Sequence, residues 1–174
     1  MPIHDCAHTF ADLATAVLPA HMAEMHKALA NPVAMANFSR PGVGAKSILR
    51  EQGLARDFSG CYSLVEGNRA IYVGISRNVF SRLRQHVFGK THFDASLAFR
   101  IAASKHPDAA VTELSRAEAM LDDAFGATFA EAQEYLQSLK VAYIEIQNPL
   151  ELYVFEPYCA IELDTHQWNS FETH

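Results

Sequence analysis

The stretch SGCYSLVEGNRAIYVGISRNVFSRLRQHV, residues 59–87, decides the fold that this sequence predicts. It contains two short β-prone runs, CYSLV and AIYVGI, separated by EGNR, which is typical of a β-hairpin. Ser76 or Asn78 can then cap a helix that extends through Phe88, because apolar residues recur there at helical spacing. The stretch therefore predicts two antiparallel strands followed by an amphipathic helix.

Two tyrosines, Tyr62 and Tyr72, occupy the neighbouring strands of this predicted hairpin. Side chains alternate between the faces of a sheet, so both rings share a face only if the hairpin loop has an odd number of residues. A three-residue Gly-Asn-Arg loop, which pairs Glu66 with Ala70, meets this condition, whereas a two-residue Gly-Asn turn separates the rings. The sequence leaves both turns open, and the shared face is a prediction that depends on the odd-length loop.

The predicted helix carries Arg82 and His86 four residues apart. Side chains at this spacing emerge on the same helix face. On the helix surface they lie next to the apolar stripe of Val79, Leu83 and Val87, so we expect them at the border between core and solvent. A side chain at this border can be both held in place and exposed, as a catalytic group requires.

On the N-terminal side, Thr9 to Asp12 has a helix-capping pattern, and a second helical piece is closed by Asn31-Pro32. Pro19 is expected to end or kink the first helix. Residues 1–55 are predicted to form an N-terminal helical extension, and residues 56–174 to form the main domain.

On the C-terminal side, Ser115 with Glu118 and Thr128 with Glu131 form two predicted capping boxes. The run VAYIEI predicts a late strand, and Asn148-Pro149 predicts the start of a last helix. This order predicts an α/β (α+β) fold with a small three-stranded antiparallel or mixed sheet flanked by helices. A helical insertion at about 93–140 precedes the third strand.

Composition limits the class of protein. The chain has 174 residues, 49% of them hydrophobic, which suits one compact domain with a substantial core. No run of 18 apolar residues occurs and no basic N-terminal region precedes an apolar one, so neither a membrane span nor a signal peptide is expected. Three widely spaced cysteines without a CxxC pair indicate a reduced, cytoplasmic protein and exclude a zinc ribbon or disulfide scaffold.

Charge is unevenly distributed along the chain, whose net charge is −6. Residues 69–105 contain seven Lys or Arg and one acidic residue, whereas residues 106–174 contain two Lys or Arg and thirteen acidic residues. The first segment could meet a polyanion such as DNA while the rest keeps the protein in solution. On charge alone, a solvated basic helix face is an equal interpretation.

The motifs Gly60-Cys61-Tyr62 and Tyr72-Val73-Gly74, followed by Arg82 and His86, resemble those of the GIY-YIG nuclease superfamily. The middle position of the first motif departs from the family, because Cys61 replaces an aliphatic residue. Cys61 should point away from Tyr62, so this exchange of small apolar residues puts little in doubt. The resemblance covers about residues 60–174 and implies a GIY-YIG-like fold.

The family also carries a glutamate on a helix after the third strand and an asparagine about three turns later. Glu156 and Asn169 match these positions. Pro157 is a departure, because proline removes a helical hydrogen bond and disfavours helical geometry at the preceding residue. Either the helix kinks and aims Glu156 inward, or the ligand is another carboxylate, for which Glu151 and Glu162 are the alternatives.

The resemblance implies a role for each matched residue. Tyr62 would be the general base for water, with Tyr72 as its hydrogen-bonding partner and Arg82 as a phosphate contact. Glu156 would bind Mg²⁺ or Mn²⁺, since Mg²⁺ takes only one or two protein carboxylates. For His86, donation to phosphate, orientation of Tyr62 and proton transfer stay open. Four further residues are predicted to contact substrate: Arg77, Arg84, Lys90 and Asn169.

Three hypotheses follow. The first is a metal-dependent endonuclease that hydrolyses phosphodiester bonds in DNA. The second is a catalytically inactive GIY-YIG-fold module that binds nucleic acid or a protein partner, which Pro157 and the acidic net charge favour. The third is a structural or interaction protein whose tyrosines merely pack. A domain of this size could choose its DNA site through the N-terminal extension, the inserted helices, a partner or a homodimer.

Overall fold

A computed structural model describes residues 6–106 and 115–171 of the chain. The chain divides into two compact units. The first, here called the sheet unit, takes its described residues from 6–33, 54–79 and 140–171. The second, the helical unit, takes them from 34–53, 80–106 and 115–139. The predicted boundary at residue 55 and the predicted insertion at 93–140 divide the chain in another way and stay predictions.

Four strands form one sheet in the order β1-β4-β2-β3. They are β1 (Val33–Ala34), β2 (Gly60–Glu66), β3 (Arg69–Ser76) and β4 (Lys140–Glu145). The central strand β2 pairs antiparallel with both β3 and β4. Helices and an antiparallel sheet are therefore combined as predicted. The expectation of three strands omits β1, because a strand of two residues has no periodicity to detect.

Helices precede, interrupt and follow the long strands. The sheet unit contains α1 (Phe10–Asp12), α2 (Leu18–Ala30) and α8 (Pro149–Glu162). The helical unit contains α3 (Ala45–Glu51), α5 (Ser96–Ser104), α6 (Arg116–Ala119) and α7 (Asp123–Ser138). Helix α4 (Val79–Phe88) begins at the last residue of the sheet unit and continues into the helical unit. Among the described residues, no helix is long and apolar enough to cross a membrane.

The core of the sheet unit lies against one face of the sheet. Helices α2 and α8 pack there on alternate residues of the three long strands. Burying apolar area in this way contributes about 25 cal/mol for each Å². The strands contribute Cys61, Val73 and Ala142 to this core, and α8 contributes Leu152, Phe155 and Cys159.

The N-terminal helix begins as predicted but does not end where predicted. The Thr9 side chain accepts a hydrogen bond from the Asp12 backbone N–H, and the Asp12 carboxylate accepts one from the Thr9 backbone N–H, so the capping box is confirmed. A π-helical segment, Leu13–Val17, joins α1 to α2. Pro19 therefore does not end the helix; it lies in the first turn of α2, where a missing N–H is tolerated.

Two capping boxes were predicted before helices α6 and α7, and one is correct. Ser115 and Glu118 form the predicted box at the start of α6. The box at Thr128 and Glu131 is wrong, because α7 already begins at Asp123 and Asp122 caps it. Thr128 lies inside this helix, where its hydroxyl donates to the carbonyl of Ala124.

Helix α8 begins at the predicted place. The Asn148 side chain accepts hydrogen bonds from the backbone N–H groups of Leu150 and Glu151, and Pro149 occupies the first turn. The helix then continues through Pro157 to Glu162 without ending. Pro157 supplies no N–H to the carbonyl four residues earlier, but the helix on either side of it persists.

Candidate functional site

Tyr62 and Tyr72 project from the same face of the sheet, and a β-bulge is the reason. Glu66 pairs with Arg69, so of the two turns that the sequence left open the two-residue Gly-Asn turn is the one that forms. The register then shifts, because Leu64 pairs with Tyr72 while the next residue of β2 pairs with Ala70. One extra residue of β3, Ile71, lies in this shift. This extra residue shifts the alternation of side chains along β3 by one position, so Tyr72 points to the same face of the sheet as Tyr62.

Gly74 brings the two tyrosine rings together. It pairs with Tyr62 across the hairpin, and a Cβ atom built on it would lie 2.5 Å from the Tyr62 hydroxyl oxygen and 3.0 Å from Cε1 of Tyr72. Both rings therefore occupy the space that a side chain would need. Their centroids are 6.2 Å apart and their planes are inclined by 51°. Tyr62 is only 1% exposed, whereas Tyr72 is half-buried.

A third tyrosine on this face is absent from the sequence-based site. Tyr143 of β4 pairs directly with Tyr62, on the side of β2 away from Gly74. Its ring contacts Phe58 at a centroid distance of 5.9 Å, and burial raises the pKa of its hydroxyl. The alternation within VAYIEI carried this signal, since it places Tyr143 on one face, but the partner residue depends on the strand register.

Glu156 is a half-buried carboxylate on α8. Burial raises its pKa, and it makes no hydrogen bond or ion pair with the residues that the structure describes. The pKa of the Cys61 thiol is raised, first by burial, next by the neighbouring Cys159 and then by the charge of Glu156. Cys61 lies in the core beneath α8, so this helix packs on the face of the sheet opposite to Tyr62 and Tyr72.

The two alternative carboxylates have other surroundings. Glu151, in the first turn of α8, is paired: its Oε2 lies 3.2 Å from Nε2 of His21, and its Oε1 lies 3.8 Å from Nε2 of His8. Glu162 is exposed at the end of the helix. Glu156 is therefore the half-buried carboxylate of α8 that lacks a partner within the described residues, which is typical of a functional group.

Asn169 contacts the second tyrosine motif directly. Its Oδ1 accepts a hydrogen bond of 2.9 Å from the Val73 backbone N–H, and its Nδ2 donates one of 2.8 Å to the Val73 carbonyl. Because β3 is the last strand of the sheet order, the amide takes the place of a neighbouring strand there. Arg77, just after β3, is exposed and makes no hydrogen bond or ion pair within the described part of the chain.

Arg82 is held by its own unit. Its half-buried guanidinium donates hydrogen bonds to the carbonyl oxygen of Asp94 at 2.6 Å, to the Ser96 hydroxyl at 2.9 Å and to Gln85 at 3.1 Å. These bonds tie α4 to the start of α5. They use three of the five N–H donors of an arginine.

His86 lies deeper than predicted, because it is fully buried rather than at the border with solvent. Burial, with the charge of Arg82 as a smaller cause, lowers the pKa of its imidazole to about 3. His86 is therefore neutral at physiological pH. The expectation of a border position fails because the face of α4 that carries His86 is itself covered.

Arg84 and Lys90 line one surface cavity of the helical unit, with a volume of about 530 Å³. Arg84 donates a hydrogen bond of 3.1 Å to the Phe38 carbonyl and lies 5.0 Å from the centroid of the Phe88 ring. Lys90 is exposed. Asp94 also lines the cavity, and its carboxylate accepts a hydrogen bond from the Thr91 hydroxyl.

The donor chemistry of Glu156 fits a hard divalent cation. In the described ranges, no three His, Cys, Asp or Glu side chains are grouped so as to hold a metal ion. Mg²⁺ does not require such a group, because waters and phosphate oxygens complete its octahedral shell around one or two carboxylates. A half-buried carboxylate with free oxygens meets that need.

No protein-family model, curated protein or solved structure matches this chain.

Proposed function

We propose that the protein is a metal-dependent endonuclease of GIY-YIG type that hydrolyses phosphodiester bonds in DNA. The observation that carries this proposal is the meeting of Tyr62 and Tyr72 over Gly74. The packing of a hairpin does not require two tyrosines in contact over a glycine at this register, nor a bulge at Ile71 that keeps them on one face. Bulges of this kind are common beside active sites.

The burial of the two rings suggests how they would divide the work. A general base must reach the attacking water, and Tyr72 is the more exposed of the pair. Tyr72 would therefore take the proton from the attacking water, and Tyr62 would hold the Tyr72 ring in place. These roles are the reverse of those that the resemblance implies. A tyrosine hydroxyl ordinarily has a pKa near 10, so a nearby cation must lower it.

The other residues would bind and orient substrate. Arg82 would contact the phosphate through its two remaining N–H donors. His86 is fully buried and is neutral because of its low pKa, so it would act as a hydrogen-bonding group within the protein and would not contact substrate. Glu156 would hold the Mg²⁺ or Mn²⁺ ion. When bound, such an ion neutralises charge on phosphate oxygens and on the leaving alkoxide.

The predicted substrate-binding residues divide into two kinds. Arg77, Arg84 and Lys90 are cations of the basic segment and would neutralise phosphates. Asn169 has both of its amide groups bonded to Val73. We therefore propose that Asn169 positions β3, which carries Tyr72, and does not contact DNA.

The test is cleavage of plasmid and of short single-stranded, duplex and branched DNA in Mg²⁺. We expect the protein to cleave at least one of these and Glu156→Ala to abolish cleavage. Glu162→Ala, an exposed glutamate on the same helix, is the matched control and should cleave normally. Tyr72→Phe should lower the rate by about 10²–10⁴-fold, the range for loss of a general base. Undiminished cleavage by Glu156→Ala would refute the assignment of Glu156 as the metal ligand.

A second candidate is a non-catalytic module of the same fold, which one observation favours. Helix α8, which carries Glu156, packs on the face of the sheet opposite to the two tyrosines. In this case the protein would bind nucleic acid or a protein partner, and Mg²⁺ would produce no turnover of any nucleic acid in the cleavage assay. For such a module, we also expect Glu156→Ala to bind the nucleic acid or protein partner as tightly as the wild type does.

A further inference from the structure

A cavity in the sheet unit lies where β3 ends and α8 begins. Its volume is about 360 Å³, within the range of small-ligand sites. Its lining differs from that of the cavity beside Arg84 and Lys90, because it combines several apolar side chains with a single cation. The residues that matter are Ile75, Arg77, Pro149, Leu152 and Tyr153.

Tyr153 is the unusual feature of this lining. Its large aromatic side chain is 65% exposed, whereas Leu152 next to it and Phe155 two residues later on the same helix are buried. An exposed aromatic ring beside an apolar surface is a typical platform for a planar ligand. Ile75 and Leu152 supply the apolar surface next to the ring.

Arg77 gives the site a charge preference. It is exposed and has no hydrogen bond or ion pair to any residue that the structure describes, so its guanidinium is available to an anion. The start of α8 does not compete for that anion. Pro149 has no N–H, and the N–H groups of Leu150 and Glu151 are already bonded to the Asn148 side chain. An occupant would thus place its planar apolar part on Tyr153 and its negative charge at Arg77.

We propose that this cavity binds an unpaired nucleobase of the substrate, stacked on Tyr153, with the adjoining phosphate on Arg77. A nucleotide combines a flat aromatic group with a negative charge a few bonds away, which are the two groups that Tyr153 and Arg77 would bind. The inference rests on the proposed function, because it takes nucleic acid as the ligand. It adds a preference: the protein recognises DNA that has unpaired bases, such as an overhang or a bulge, over a blunt duplex.

The experiment measures binding without metal, so that cleavage plays no part. Two fluorescein-labelled DNAs share one duplex, and one of them carries a four-nucleotide overhang; affinity is followed by anisotropy in EDTA. We expect the overhang DNA to bind more tightly to the wild type. Tyr153→Ala should weaken overhang binding by about thirtyfold, which is the middle of the range for loss of one stacked base. Blunt-duplex binding should not change.

Two control variants separate stacking from general effects. Tyr153→Phe keeps the ring and should bind the overhang as the wild type does. Phe171→Ala removes an aromatic side chain that is 55% exposed elsewhere in the sheet unit and should also have no effect. Both changes are at exposed positions, so all three variants should keep the wild-type melting temperature.

Each result has one meaning. Equal affinity of the wild type for both DNAs, or an unchanged overhang affinity in Tyr153→Ala, overturns the inference, whether or not the protein cleaves DNA. Tyr153-dependent overhang binding by a protein that cleaves no DNA supports the inference and instead refutes the proposed nuclease activity. Loss of overhang binding in Phe171→Ala as well as in Tyr153→Ala also overturns it.

Discussion

His86 is a buried base four residues along α4 from a permanent cation. Its full burial removes the water that would stabilise an imidazolium, and Arg82 repels the added charge, so its pKa falls to about 3. In an unfolded chain the pKa of a histidine is about 6.5. The difference links the protonation of this one side chain to the free energy of unfolding.

Stability should therefore fall in mild acid. Between pH 6.5 and about 3 the unfolded chain binds one more proton at His86 than the folded protein does. The stabilisation from the neutral imidazole is thus complete above pH 6.5 and is lost as the pH falls towards 3, at up to about 1.4 kcal/mol per pH unit. We expect His86→Gln to remove this slope in urea unfolding curves recorded between pH 7 and pH 4.

The slope, and not the stability at one pH, is the quantity to compare, because Gln at a buried site also changes packing. His26→Gln is the matched control, since His26 is an exposed histidine on α2, and it should keep the wild-type slope. An identical pH dependence in the wild type and in His86→Gln would show that His86 does not stay neutral in the folded protein.

Among the elements, the β2–β3 hairpin depends on two local irregularities that compensate for one another. The two-residue turn, in which Gly67 has a φ of 59°, would by itself separate the two tyrosines. The bulge at Ile71 restores their common face. Gly74 then leaves the space in which the rings of Tyr62 and Tyr72 meet. The hairpin thus departs from regular strand pairing at one point, and this departure brings the two tyrosine rings side by side.

Gly74→Ala should disrupt this arrangement. The new Cβ would lie 2.5 Å from the Tyr62 hydroxyl oxygen, so one of the rings must move. Overpacking of this kind typically costs about 1–3 kcal/mol. We expect that loss in the free energy of unfolding measured with urea, together with a changed near-ultraviolet circular dichroism signal from the tyrosines.

Gly126→Ala is the control for this change. Gly126 lies inside α7, and a Cβ built there has no heavy atom within 4 Å. Alanine is a better helix former than glycine, so this variant should be more stable by about 0.5–1 kcal/mol. Destabilisation by both substitutions, or by neither, would contradict the packing described for Gly74.

The sequence predicts those features of the elements that local chemistry determines. The caps at Thr9, Ser115 and Asn148 are read correctly because each depends on residues within one helical turn. The hairpin and the late strand are also local patterns. Thr128 misleads because it has the same local pattern inside a helix that a preceding aspartate already caps.

The rest of the candidate site depends on distant pairing that no local pattern encodes. The bulge at Ile71 results from the balance of pairing along the whole hairpin. The contact of Asn169 with Val73 joins residues 96 positions apart. The burial of His86 depends on what covers α4. Spacing alone therefore identified candidate residues but could not decide which of them are exposed, buried or already bonded.

At the scale of the whole molecule, net charge and local charge would have opposite effects on the proposed binding of DNA. A net charge of −6 repels a polyanion at long range, and this repulsion weakens as salt is added. In the proposed complex, cations of residues 69–105 would attract the same polyanion at contact, and this attraction would also weaken with salt because it releases counterions from DNA. The two effects can be separated, since only a contact cation changes the salt dependence by a fixed amount.

Lys90→Ala should make the negative slope of log affinity against log salt concentration shallower by about 0.9, the amount expected for one lost phosphate contact on duplex DNA. Arg56→Ala is the charge-matched control, because Arg56 is also exposed but lies outside the basic segment. Both variants change the net charge by the same amount, so any long-range effect is common to them. Titrations of duplex binding between 50 and 200 mM salt measure the slopes. Equal slopes for the two variants would show that residues 69–105 act on DNA only through the overall field and not through contact at Lys90.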